Sequence, residues 1–303
     1  MRIAISGSTG LIGTALVRAL RADGDDVVRL VRTAPGGPDE VRWDPYGKVD
    51  TEALEGLDAV VHLAGAGVGD RRWSDSYKKQ LHDSRVVGTR TLAEALAGLR
   101  HPPRVLVSGS AVGFYGDTGD RDADESAAVG SGFLAELVRD WEAAARPAAA
   151  AGIRVVHPRT GLVLTREGGM LGKILPIFRL GLGGRLGGGG QWLSWISLPD
   201  EIAALRLLID RGDVTGPVNL TAPRPVTNAD FTKALGRALH RPTPFAVPSF
   251  ALRAALGGFA DEGLLVSQRV LPRRLAELGF RFRYGDLDTA LDRALAAGSD
   301  DRI

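Results

Sequence analysis

Residues 2 to 13 read RIAISGSTGLIG, and the parsing of this run decides the fold. RIAIS, residues 2 to 6, is a short apolar strand, and Gly7, Gly10 and Gly13 follow it at a spacing of three. The helix that comes next carries Leu16, Ala19 and Leu20 on one face and meets a stop signal at Gly24. A strand that turns through glycines into a helix sets unpaired backbone N–H groups at the strand's carboxyl end. That arrangement suits a pyrophosphate. The run Gly7-Ser8-Thr9-Gly10-Leu11-Ile12-Gly13 therefore predicts a dinucleotide site bordered by Gly7, Thr9, Gly10, Leu11, Ile12 and Gly13. A purely structural glycine turn is the plainer alternative.

The same β-then-α rhythm continues outward. DVVRLVR at 26 to 32, AVVHLAG at 59 to 65, RVLVSGS at 104 to 110 and RVVHPRTGLVL at 154 to 164 read as strands, with helices over about 74 to 98 and 131 to 151. Strands that are apolar nearly throughout and alternate with amphipathic helices imply a parallel sheet covered on both faces. The predicted fold class is α/β, a doubly wound parallel Rossmann-type sheet with a smaller, mostly helical C-terminal substrate or cap region. The expected division is a binding domain over 1–165, to which 196–225 returns, and a second region from 166–195 and 226–303. In GLGGRLGGGGQW, residues 181 to 192, glycine density excludes a regular helix or central strand. A mobile lid and a solvent-exposed connection both fit it.

The end of the second strand distinguishes between dinucleotides. An acid there would take the 2′-hydroxyl of NAD, but Arg32 stands there, and no acid occurs between Asp26 and Asp39. A guanidinium fork suits a 2′-phosphate, so the cofactor expected is NADP. A solvated strand-end Arg is the alternative.

Composition excludes several classes. The chain has 303 residues, 44% hydrophobic and 24% charged, and 38 basic against 36 acidic side chains leave a net charge of +2. Such a balance gives no bulk attraction to nucleic acid or membrane, and basic residues do not interleave with aromatics. With no Cys there are no disulfides or thiolate metal sites, and the scattered His residues form no H-E-x-x-H. No metal is expected. MRIAISGSTG is too short an apolar run for a signal peptide, and no stretch reaches about 18 apolar residues, so a cytoplasmic protein is expected. GSAVG at 109 to 113 has its Ser too early for a nucleophile elbow. Leu252, Leu256 and Phe259 in the tail fit packing on the main core or on a second subunit, which leaves a homodimer open.

The glycine run, His62-Leu63-Ala64-Gly65, Val87-Gly88-Thr89 and Ser108-Gly109-Ser110-Ala111 together resemble the extended short-chain dehydrogenase/reductase superfamily. Trp195-Ile196-Ser197 with Asp200, and Val218-Asn219-Leu220, extend the likeness. RDWEAAA at 139 to 145, PRTGLVL at 158 to 164 and FRLGLGG at 178 to 184 are similar to its atypical branch in particular, the nucleoside-diphosphate-sugar epimerase-like proteins with a small C-terminal domain of unknown function. The resemblance implies that Leu63, Ala64 and Gly65 border the cofactor. It also implies that Arg85, where ordinary members carry Asn, reaches the phosphates or ribose; a surface Arg is the alternative. His62 fits packing beside the sheet better than chemistry.

Ordinary members pass a proton through a Tyr, with a Lys one helical turn on that lowers its pKa and holds the ribose. Here Phe133 and Leu137 stand at those positions, and no Tyr in the chain is followed by Lys four residues later. The resemblance gives Ser110 the role of orienting a carbonyl, and Tyr115 is the candidate replacement acid. Glu125, Glu136 and Asp140 are further acids close by in sequence. Two functions stay open: an NADP-dependent, epimerase-like oxidoreductase acting on a carbonyl or sugar-nucleotide-like small molecule, and a non-catalytic NADP-binding redox sensor that signals to a partner.

Overall fold

The computed structural model describes residues 1–296. Eight strands form the central sheet: β1 Arg2–Ser6, β2 Asp26–Val31, β3 Glu40–Arg42, β4 Ala59–His62, β5 Val105–Ser108, β6 Ser110–Ala111, β7 Arg154–Thr160 and, after four strands outside it, β12 Gly216–Leu220. Their order is β3-β2-β1-β4-β5-β7-β12, with β6 beside β7. Every pairing is parallel. This is the doubly wound α/β fold, with the chain reversing direction across the sheet between β1 and β4. Such a switch point opens a crevice at the carboxyl ends of the strands.

Alternate residues of each strand feed opposite cores, which is why the strands read as unbroken apolar runs. Ile3, Ile5, Val61 and Val107 pack against α1 (Leu11–Ala22) and α7 (Leu198–Asp210). Ala4, Val60, Leu106 and Val155 face the other way, against α3 (Asp75–Ala97) and α5 (Arg146–Ala150). α4 (Phe133–Ala143) lies beside α3 on this second face. Leu16, Leu92 and Leu106 are fully buried. Each such side chain contributes roughly 1.5 to 3 kcal/mol.

Several details depart from the expectations. The run 154 to 164 is two strands, β7 and β8 (Leu162–Leu164), broken at Gly161. Gly161 N still donates to Leu220 O, but Leu162 N donates to Ser194 O, so the chain leaves the main sheet and pairs with β11 (Trp195–Ser197). A Cβ on Gly161 would lie 2.5 Å from Ser194 O. The expected helix over 131 to 151 is likewise two helices, α4 and α5. β3 and the short α2 (Thr51–Leu54) had no sequence signal, being too short to show a period.

Beyond the sheet, α6 (Gly169–Arg179), α8 (Asn228–Ala238), α9 (Ser249–Leu256), α10 (Arg273–Glu277) and α11 (Leu287–Leu295) alternate with two-stranded ladders. β9 (Gly184–Leu186) pairs with β14 (Phe245–Val247), and β10 (Trp192–Leu193) with β13 (Val226–Thr227). The glycine-rich segment holds a short ladder strand off the central sheet. Positions 297–303 of the expected C-terminal region lie outside the described residues. Among the described residues no helix is long and apolar enough to cross a membrane.

Candidate functional site

The crevice at the switch point is walled by the turn after β1 and the turn after β4. Gly7 holds φ +69°, and a Cβ there would stand 2.7 to 2.8 Å from the backbone of Leu63 and Ala64. One on Gly13 would lie 2.1 Å from Gly7 O. Both glycines are therefore required by close backbone approach. Gly10 caps α1 without any side-chain hydrogen bond, and the helix has no acid in its first turn. Its opening N–H groups, from Leu11 and Ile12 onward, point with the positive end of the helix dipole toward the crevice. Thr9 and Gly10 are exposed at the rim, and the Ser8 hydroxyl is buried without a protein partner. The cradle fits a pyrophosphate.

Two arginines were expected beside it, and they differ. Arg32 follows β2, is exposed, and makes no ion pair among the described residues. Arg85, on α3, lies against Gly65 and stacks its guanidinium on the Trp141 ring at 5.1 Å from the centroid. Its Nη1 donates to Leu81 O at 3.3 Å, but no carboxylate among the described residues pairs with it. Burial pulls its pKa down to about 10, which leaves it charged at neutral pH. A half-buried cation with no carboxylate beside it among the described residues carries a desolvation cost. It is placed where an anionic ligand would relieve that cost.

Ser110 and Tyr115 belong to one buried polar network. Ser110 Oγ donates to Glu142 Oε1 at 2.6 Å. Arg159 grips the same carboxylate with Nε at 2.8 Å and Nη2 at 2.9 Å, a bidentate pair, and its Nη1 donates to the Tyr115 hydroxyl at 3.0 Å. The Tyr115 hydroxyl in turn donates to Asn219 Oδ1 at 2.7 Å. Arg159 also stacks on the Phe114 ring at 3.4 Å. Burial opposes the Arg159 charge, but the Glu142 hydrogen bonds and charge outweigh it and raise its pKa. Tyr115 is pushed up, chiefly by burial. Its phenol is saturated with partners and slow to give up its proton, whereas Ser110 is held by a carboxylate that accepts one.

Glu142, Arg159 and Asn219 were not singled out from sequence as site residues. The signal available was Arg159 itself: a guanidinium at a buried position of a central strand requires an acid beside it. Of the acids that were considered, Glu136 is exposed on α4 and Asp140 pairs with Arg139 at 3.0 Å. Glu125 accepts from Asn219 N and Arg274 N, and burial raises its pKa.

Phe133 and Leu137 sit one turn apart on α4 in an apolar cluster with Trp73, Tyr77, Leu81 and Trp141. Trp73 meets Phe133 edge-on at 5.2 Å, and Lys78 Nζ stands 5.1 Å from the Phe133 ring centroid. The N-terminus of α4 is capped from the C-terminal region, where Glu262 accepts from Leu134 N at 2.8 Å. His62 is fully buried, and burial lowers its pKa to about 4, so the ring is neutral. Glu201 on α7 is fully buried too. It accepts from Thr160 Oγ1 at 2.8 Å, has no cation beside it among the described residues, and burial pushes its pKa up to about 8. Among the described residues no cluster could hold a metal.

Comparison with known proteins adds to this geometry. Residues 3–220 match the model of the NAD dependent epimerase/dehydratase family, and residues 247–294 match a domain of unknown function, DUF1731. The chain is 51% identical to the epimerase family protein MT2273 of Mycobacterium tuberculosis over 293 residues, 96% of this chain and 97% of that one. It is similar to the crystal structure of human epimerase family protein SDR39U1 (isoform 2) with NADPH, at a TM-score of 0.90 and 35% identity, covering 97% and 99% of the two chains. A nucleoside-diphosphate sugar epimerase from Corynebacterium glutamicum matches at a TM-score of 0.81 and 39% identity, covering 97% of this chain and 58% of that one.

Proposed function

The chain belongs to the NAD dependent epimerase/dehydratase family, and from that premise we propose that it is an NADP(H)-binding, epimerase-like oxidoreductase for a carbonyl or sugar-nucleotide-like substrate, working without the Tyr and Lys of ordinary members. The observation that carries the reading is the 2.6 Å hydrogen bond from Ser110 to a carboxylate clamped by Arg159.

Leu11 and Ile12 N–H groups hold the pyrophosphate, and Gly7, Thr9, Gly10 and Gly13 let it approach. Leu63, Ala64 and Gly65 form the facing wall, while Arg85 and the exposed Arg32 fork supply charge to the phosphates, Arg32 to the 2′-phosphate. The preference for NADP is supported by that Arg32 and by the NADPH in the human relative. When bound, the cofactor supplies the hydride acceptor or donor. Ser110 holds the substrate oxygen. In the oxidation direction its hydroxyl takes the substrate's O–H proton as its own passes to Glu142 Oε1; in the reduction direction the same proton returns. Arg159 holds the Glu142 carboxylate in place through its bidentate grip, and Tyr115 with Asn219 fixes Arg159, so Tyr115 is a positioning residue.

Phe133 and Leu137 favour the rival reading of a redox sensor. NADPH fluorescence separates the two: consumption with a panel of sugar nucleotides and small carbonyls, lost in Ser110→Ala at unchanged NADPH affinity, supports the enzyme. Saturable binding with no consumption by the unmodified chain supports the sensor.

A further inference from the structure

The balanced total charge of the chain hides an uneven local one. Residues 168–199 and 231–260 contain no Asp or Glu, while the first segment carries three Lys and Arg side chains and the second four. The fold joins these two segments outside the central sheet. Arg241 Nε donates to Arg179 O at 2.9 Å, which ties the chain after α8 to the end of α6, and β14 runs beside β9 with Phe245 opposite Gly184. Gly187 N donates to Val247 O at 2.8 Å, and a Cβ on Gly187 would stand 2.7 Å from Ser249 Oγ at the start of α9. The end of α6, the β9–β14 ladder and the start of α9 therefore form one continuous surface.

That surface is apolar where it protrudes. Among the described residues eight large apolar side chains are exposed, and five of them stand here: Leu180 at 74%, Phe250 at 73%, Leu182 at 55%, and Ile177 and Phe245 at 51% each. Single exposed apolar residues are ordinary, but a cluster marks a surface that something covers. Backbone geometry holds part of it in place. Gly181 takes φ +72°, its N–H donates to Phe178 O at 2.9 Å and Leu182 N donates to Ile177 O at 3.1 Å, so α6 ends in a left-handed turn that leaves Leu180 and Leu182 in solvent.

Cations surround these side chains. Arg237 pairs with Asp288, Arg253 with Asp261 and Lys173 with Asp70. Arg179, Arg185, Lys233 and Arg241 are exposed and pair with no carboxylate among the described residues. Lys233, His240 and Arg241 line a shallow recess at the edge of the apolar face. Asp230 lies at the far end of α8 from Arg241, where it accepts from Thr227 Oγ1. A second copy in a two-fold seam would bring like charges face to face. Protruding apolar side chains ringed by unpaired cations suit a layer with anionic headgroups and a hydrocarbon interior.

We propose that this face is a peripheral docking surface for an anionic phospholipid membrane, with Leu180, Leu182 and Phe250 entering the acyl boundary and Arg179, Arg185, Lys233 and Arg241 facing the phosphates. The chain lies on the bilayer without crossing it. The reaction proposed above plays no part in this inference.

The test is flotation of the full chain with vesicles of phosphatidylcholine alone and of an equimolar mixture with phosphatidylglycerol. Binding to the mixed vesicles, weakened by salt and absent from the neutral ones, is expected. Leu180→Ser with Phe250→Ser should lower the partition coefficient about tenfold or more, and Arg185→Gln and Lys233→Gln about fivefold each. All four positions are exposed, so the melting temperature should not move. Flotation with neither vesicle overturns the proposal in favour of a protein partner. Binding to mixed vesicles that ignores the Leu180 and Phe250 substitutions overturns it too, since charge alone then explains the adsorption. A dimer of the unmodified chain in sedimentation velocity, abolished by Leu180→Ser with Phe250→Ser, gives the face to a second copy and overturns it as well.

Discussion

Replacing Glu142 with Gln should destabilise the chain far more than a surface charge change would. The side chain keeps its size and can still accept from Ser110 and from one Arg159 nitrogen, but its NH2 meets the second nitrogen donor to donor. Arg159 is only 4% exposed and Glu142 13%. The variant therefore strands a buried guanidinium, a defect worth about 3 to 5 kcal/mol. Partial access of water at Glu142 favours the lower end. Near 2 cal/mol/K per residue, about 3 kcal/mol corresponds to a fall in Tm of roughly 5 °C for a chain of this length. Urea denaturation followed by tryptophan fluorescence reads it. Adding Arg159→Met should restore much of the loss, because the uncompensated charge goes with it, giving a coupling of about 1 to 3 kcal/mol between the two sites. A loss below about 1 kcal/mol, the range of exposed pairs, with additive double-variant behaviour would refute the buried network.

Arg85→Ala should weaken NADP(H) binding by about 1 to 3 kcal/mol, the range for a charged hydrogen bond, in a fluorescence titration; an unchanged Kd would make Arg85 structural. Gly10→Val should weaken both NADP and NAD, since a side chain there blocks the uncapped start of α1; normal binding by a folded variant would mean the phosphate cradle lies elsewhere. Glu201, raised to about 8 from an ordinary 4.5, gives the fold stability that is fully present below about pH 4.5 and is lost as pH rises through about 8. Glu201→Gln, which still accepts from Thr160, should remove that decline and be more stable than the unmodified chain at pH 8 by on the order of a few kcal/mol. Parallel urea midpoints for the two proteins from pH 5 to 8 would contradict it.

The sheet was legible because strands buried on both faces and glycines at fixed turns leave local marks: RIAIS and the three glycines after it place β1, the cradle and α1 without any tertiary information. β3 and the ladder strand Gly184–Leu186 were not, because a three-residue strand has no measurable period and exists through its partner. The cofactor side of the site was readable for the same reason, being built from consecutive backbone. The chemistry of Ser110 was readable only in part. Its acceptor lies 32 positions on in α4, the cation that fixes that acceptor lies in β7, and Asn219 lies in β12. Such pairings depend on which strands adjoin, and spacing along the chain does not carry it. The loss of Tyr and Lys at 133 and 137 was plain from the residues, whereas the carboxylate of Glu142 further along the same helix became visible only with Arg159 folded against it.

The most direct measurement is a crystal structure of the chain with NADP+ bound. The account predicts the pyrophosphate on the N–H groups of Leu11 and Ile12, Arg85 withdrawn from Trp141 toward a phosphate, and the nicotinamide C4 facing the Ser110 hydroxyl with Glu142 behind it. A nicotinamide ring turned away from Ser110, with another ionisable side chain at C4, would contradict it.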